Sequence, residues 1–318
     1  MTRGTQRVPL VFGMTPKIFK NLKTIVTQIS ETCKQVLPKT PGTGRPRKLG
    51  WIDALTFALY QHTSTRATKK SVWSDFKQSL GCAYSTFVTA VNEAAVIALR
   101  ILFIVMRMNR AQQHLVKFTD ATDIPVCLKR NGKHHRTMRG LAAWGNSGKG
   151  FYFGLKMTMT RDDDGKILSP VFSPSNTDDR KLFRKANKDI KGIIVADAGY
   201  CSKELERDMY EEGKRWCLIK PYKNMKRLAT AWQLALYKRR YKIEFDFRSL
   251  KMFHGLLTSL PRSINGYIGN YILALLSFVL ADRVVRGEDF PYRLPCFFRF
   301  RLRGIKILLA YQPRIGKK

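Results

Sequence analysis

The sequence predicts an α/β protein with an all-helical N-terminal region, a mixed sheet flanked by helices, and a basic C-terminal tail. Three observations carry that prediction. Apolar residues recur at helical spacings from Thr15 to Met108. At Gln112 the pattern turns to short apolar runs separated by turn residues, first a hairpin and then β-α-β alternation, the order that builds a mixed sheet with helices on its faces. At 318 residues the chain has room for one large domain or two smaller ones. The natural divisions are 1–110, 111–286 and 287–318.

Thr15-Pro16 starts the first helix, in which Ile18, Leu22, Ile25, Ile29, Cys33 and Val36 recur at spacings of 3 and 4; it ends before Pro38. Residues 38–48 form a basic linker rich in proline and glycine, whose Gly44-Arg45-Pro46 reads either as a solvated connector or as the core of a minor-groove hook. Val72–Leu80, Gly81 and a helix opening near Ser85 and Thr86 have the layout of a helix-turn-helix, which suits DNA-end recognition or simple helical packing equally. His114–Phe118 is predicted as a strand that Asp120 closes, and Gly150–Thr160 and Ile167–Phe172 as a hairpin. Asp162-Asp163-Asp164-Gly165 supplies the turn of that hairpin. A helix capped by Asp178, a strand Gly192–Ala196, a helix Ser202–Glu212 and a strand Trp216–Ile219 follow. One helix through Glu244 and an apolar helix from about Ser263 to Val284 complete the folded region.

Charge narrows the partners. The chain has 58 Lys and Arg against 23 Asp and Glu, a net charge of +35, and residues 1–110 alone carry 17 basic and 4 acidic side chains, so no single tail accounts for it. Such an excess points to nucleic acid, while 44% hydrophobic residues allow a sizeable core. Residues 291–318 add eight basic and no acidic side chains, with Phe297, Phe298 and Phe300 between the arginines. The six cysteines form no C-x-x-C pair and no signal core is present, which predicts a reducing, cytosolic setting. The apolar runs Ala94–Met106 and Tyr271–Ala281 are read as buried helices, too short or interrupted to span a membrane. No phosphate-binding glycine loop suggests ATP use.

Tyr237, Arg240, Glu244 and Lys251 follow one another at intervals of 3, 4 and 7. On one helix they occupy a wedge of roughly 60°, beside a packing stripe of Leu236, Ile243, Phe247 and Leu250. A carboxylate held among Arg240, Arg248 and Lys251 is presented to a polyanionic ligand. Asp120 and Asp197 each end a predicted strand, where open α/β sheets gather ligands. With Glu244 they make a hard-oxygen triad suited to Mg²⁺ or Mn²⁺. Two such ions about 4 Å apart serve in-line displacement at a phosphodiester; Asp120 would bridge them, and Asp197 and Glu244 would each hold one. Asp123, three residues from Asp120, is read as a turn residue, and His134 and His135 as part of a basic DNA-facing loop within Lys129–Arg139.

Asp120-Ala121-Thr122, Asp197-Ala198-Gly199-Tyr200 and the four spaced residues around Glu244 resemble the motifs of DDE transposases of bacterial insertion sequences, over roughly residues 110–285. The resemblance implies a ribonuclease-H-like catalytic domain with Asp120, Asp197 and Glu244 as catalytic metal ligands for Mg²⁺, with Mn²⁺ as substitute. Tyr237, Arg240, Arg248 and Lys251 would lie on DNA, of which the resemblance reaches three. Only 46 residues separate Asp197 from Glu244, too few for an inserted β-domain. The expected activity is cleavage at terminal inverted repeats and joining of the 3′-hydroxyl ends to target DNA, by a homodimer on double-stranded DNA in a prokaryotic cytoplasm, without a membrane. The rivals are a nuclease of the same fold without strand transfer and an inactive DNA-binding protein.

Overall fold

The computed structural model describes residues 17–33, 48–64, 68–148, 150–221 and 229–290. Gly44-Arg45-Pro46, nearly all of the linker and the tail from 291 to 318 lie outside the described residues.

The N-terminal region consists of α1 (Lys17–Thr32), α2 (Trp51–Thr63), α3 (Lys69–Leu80) and α4 (Tyr84–Ala111). Leu22, Ile25, Ile29 and Cys33 are buried as the spacing of α1 requires. Thr68 caps α3 by accepting from the Ser71 amide at 3.1 Å, and Gly81 at φ +55° ends it. The helix-turn-helix outline is therefore present, but Ser85 and Thr86 are not its caps. α4 opens at Tyr84 after Ala83, which makes no side-chain cap. It then runs 28 residues as a core spine, burying Phe87, Val91, Ala94, Ala98, Ile101 and Val105.

The helix that completes this core comes from the far end of the chain. α9 (Ile264–Arg286) places Ile268, Ile272, Leu276 and Leu280 in the helical core, and Tyr267, Tyr271, Ala274 and Leu275 in the core beneath the sheet. A helix apolar on all sides is one held between two layers. By length and apolar composition α4 and α9 are each long enough to cross a membrane, which corrects the reading of their apolar runs as too short. In α4 the helix continues on both sides of Arg100, which sits at a part-buried position. α4 and α9 pack on one another.

The sheet contains β1 (Val116–Pro125), β2 (Ala143–Ser147), β3 (Gly150–Asp162), β4 (Ile167–Pro174), β5 (Gly192–Ala196) and β6 (Arg215–Ile219). β3 lies antiparallel to β1 on one side and to β2 and β4 on the other, while β1, β5 and β6 run parallel. α5 (Asp179–Ala186) and α6 (Lys203–Gly213) connect β4, β5 and β6. The mixed sheet and most element bounds match the sequence expectation. β1 does not: it continues to Pro125, so Asp120 stands inside a strand and does not close one. Nine register pairs with β3, from Lys117↔Asp162 to Pro125↔Gly154, hold the Thr-Asp-Ala-Thr-Asp run extended despite its turn-forming composition. Asp123 pairs with Lys156 in that ladder and is no turn residue.

Close approach of β1 and β3 rests on Gly154. A Cβ there would lie 2.2 Å from the Ile124 carbonyl oxygen and 2.9 Å from the Pro125 Cα. Gly154→Ala is expected to destabilise the fold by roughly 3 kcal/mol, read as a lowered urea midpoint; an unchanged midpoint would mean that the strands part there at little cost.

Candidate active site

Extension of the β1–β5 register explains how two distant aspartates meet. Val116 pairs with Ile193 and Phe118 with Val195, so two residues further Asp120 stands level with Asp197. Partners in parallel register point to the same face of the sheet. Asp197 has just left β5 and occupies the position before a short 3₁₀ turn, Ala198–Tyr200. Tyr200 anchors that turn: it is buried and packs on Phe183 with ring centroids 5.1 Å apart.

The third carboxylate arrives on a broken helix. A single helix was expected through Tyr237 and Lys251; instead α7 (Ala231–Arg239) and α8 (Tyr241–Met252) meet at Arg240. The Arg240 amide donates to the Tyr237 carbonyl and the Ile243 amide to the Arg240 carbonyl, i→i+3 bonds that tighten the junction. Leu236, Ile243, Phe247 and Leu250 are buried as the stripe required, which places Glu244 in the first turn of α8, where the helix dipole favours a carboxylate.

Arg240 is the centre of the cluster. Its guanidinium lies 2.6 Å from Asp120, 2.8 Å from Glu244 and 3.9 Å from Asp197. Asp120 forms the floor, its side chain 18% exposed, while Asp197 at 46% and Glu244 at 55% open to solvent. Burial pushes the Asp120 carboxyl up to about 6, against the pull of Arg240 and the Ala121 amide, and the charges of Asp197 and Glu244 push it further up. Three carboxylates facing one guanidinium leave two negative charges uncompensated when all are ionised. That donor set fits a hard divalent cation. Among the described residues no three Asp, Glu, His or Cys side chains already stand close enough to ligate one ion; the guanidinium takes the central position, and its side chain would have to turn aside.

The elbow at Arg240 is bolted to the β3–β4 hairpin. Arg161 pairs with Asp246 at 2.8 Å and donates to the Lys242 carbonyl at 3.3 Å. Asp163 accepts from Lys242 at 2.7 Å and from Arg239. The acidic triplet does form the turn, with Gly165 at φ +94°, and one of its members also holds the helix that carries Glu244. No spacing pattern announces these pairs, whose partners lie 76 to 85 residues apart.

The other residues expected on DNA have partners within the chain. The Tyr237 hydroxyl donates to the Ile219 carbonyl at 3.0 Å, tying α7 to β6, and Lys251 pairs with Asp123 at 2.9 Å. Arg248 is exposed and lies over the Phe245 ring, 5.7 Å from its centroid.

No curated protein matches the chain. The family described as transposase DDE domain matches residues 110–263, from the end of α4 to the start of α9, and takes in β1, β5, the elbow and all three clustered acids; this part of the chain is a transposase DDE domain.

Proposed function

We propose that the protein is a DNA transposase in which Asp120, Asp197 and Glu244 are the catalytic residues, cutting phosphodiester bonds at the ends of its element and joining the freed 3′-hydroxyls to target DNA. The convergence of these three acids, from two adjacent parallel strands and one helix, on a single guanidinium supports this reading most directly. Asp120 would bridge two divalent ions, Mg²⁺ or Mn²⁺, with Asp197 and Glu244 each completing one. When bound, the ions supply activation of the attacking oxygen and charge stabilisation of the leaving one. The protein's own residues do the positioning. β1 and the turn after β5 fix two acids in register, the hairpin clamp sets the angle of α8, and Arg240 offsets one of the three negative charges until its guanidinium turns toward the DNA phosphate. Arg248, exposed beside Glu244, and Lys251 would carry the adjoining backbone. Two copies on two DNA ends, in a prokaryotic cytoplasm, belong to the same reading.

A pre-cut element end and a supercoiled plasmid, incubated with protein and Mg²⁺, test it: joined products are expected. Cutting without joining would reduce the protein to a nuclease, and binding without either to a DNA-binding protein. With +35 net charge, affinity for the end is expected to fall about 10³-fold or more between 50 and 200 mM salt, measured by filter binding. A flat salt response would contradict a backbone-dominated DNA interface.

A further inference from the structure

A cavity of about 550 Å³ opens where the segments following β1 and α8 face each other. Leu128, His134, His135 and Arg136 line one side, Leu260 and Arg262 the other, and Tyr267 of α9 closes it. Its lining contains two arginines and two histidines and no carboxylate, and the adjoining stretch from Lys129 to Arg139 adds four more Lys and Arg and no acid. An anion is the chemistry it selects. The lips are apolar as well, since Leu128 and Leu260 are both exposed and Pro261 lies between Leu260 and Arg262.

The walls are tied to one another by contacts within the chain. The Tyr267 hydroxyl donates to the Val126 carbonyl at 3.1 Å, and the His135 ring packs between Phe153 and Tyr267, 6.0 Å from each centroid. The size lies within the range of small-molecule sites. A duplex, whose major groove alone is about 12 Å wide, cannot enter, whereas one nucleotide fits: phosphate against Arg136 and Arg262, base against Leu128, Leu260 and Pro261.

Its position relates it to the acids. From Asp120 to Val126 the chain rises six residues, at about 3.3 Å each roughly 20 Å. α8 runs alongside, because Glu244 shares Arg240 with Asp120 while Lys251 pairs with Asp123. At about 3.4 Å per step of a DNA strand, that distance is about six nucleotides. We propose that this cavity binds one unpaired nucleotide of the DNA strand, about six positions from the phosphate held at Asp120, Asp197 and Glu244. The proposal rests on the DNA reading given above and adds to it a second point of attachment.

The test uses the full chain, without divalent metal, on duplexes bearing the DNA end that flanks its gene, with 2-aminopurine placed at single positions from the second to the tenth. Fluorescence is expected to rise at about the sixth position, where the base has left the stack, and Arg136→Ala/Arg262→Ala should lose that rise while still binding the end, with affinity about tenfold weaker, and still cutting it once Mg²⁺ is added in a separate reaction. DNA bound with no position brightening, or brightening that survives the double substitution, would overturn the cavity's role and leave the transposase reading standing. Failure of the unmodified protein to bind the end at all would sink both.

Discussion

Asp120→Asn is expected to abolish metal-dependent cleavage and, in the same protein, to raise the melting temperature at pH 7. Loss of one ligand's charge should slow cleavage by about 10³-fold or more, as expected when several kcal/mol of transition-state stabilisation goes. The stability gain follows from the raised pKa. In the unfolded chain an aspartate ionises near 4; in the metal-free fold Asp120 does so at about 6, chiefly because burial disfavours its charge. Between those values the folded protein holds a proton the unfolded chain has released, so stability falls as pH rises from about 4 to 6 and stays lowered at 7. Two pKa units correspond to at most about 3 kcal/mol. Asn removes that charge but forfeits the ion pair to Arg240, so a gain of about 1–2 kcal/mol, a few degrees, is the expected outcome. Cleavage retained by the variant would contradict the catalytic role; a lower melting temperature at pH 7 would show that the Arg240 pair outweighs the burial cost.

Arg161→Ala should have the largest effect on folding. Arg161 and Asp246 are both mostly buried, and removing the guanidinium leaves a carboxylate already pushed up to about 6 by burial without the neighbour that restrained it. Breaking such a pair costs about 3–5 kcal/mol. The sign with pH is distinctive. In the variant the folded-state pKa of Asp246 lies further above its unfolded value, so stability is lost as pH climbs from about 4 through neutrality, and the deficit against the native chain is smaller at pH 5 than at pH 7. Urea midpoints at the two pH values measure this. Arg161→Leu/Asp246→Leu should recover most of the loss, since apolar replacement of both partners is often neutral. A deficit independent of pH would show that lost packing, and not a stranded charge, is the cause.

The candidate site was legible in the sequence because its acids sit at positions with local signatures. Leu236, Ile243, Phe247 and Leu250 fixed the buried side of the helix and hence the placement of Glu244. The break at Arg240 was not legible, because the apolar stripe continues across it and the contacts that flank it, from Arg161 and Asp163 of the hairpin, are tertiary. β1 was read too short for the same reason: Thr119 to Asp123 has turn-forming composition, and only pairing along β3 keeps it extended. Arg240 was expected to touch DNA, yet spacing alone could not reveal that it answers all three acids. The sharing of α9 between two cores was hidden as well, since an all-round apolar helix shows that it is buried but not between what.

The most direct test of the central claim is Mn²⁺ binding to the protein–DNA-end complex, followed by electron paramagnetic resonance, for the native chain and for Asp197→Asn and Glu244→Gln. Tight Mn²⁺ uptake by the native complex that drops in each variant, with DNA still bound, is the expected result. Equal uptake by all three would mean that the cluster around Arg240 is an ion-pair network and not a metal centre.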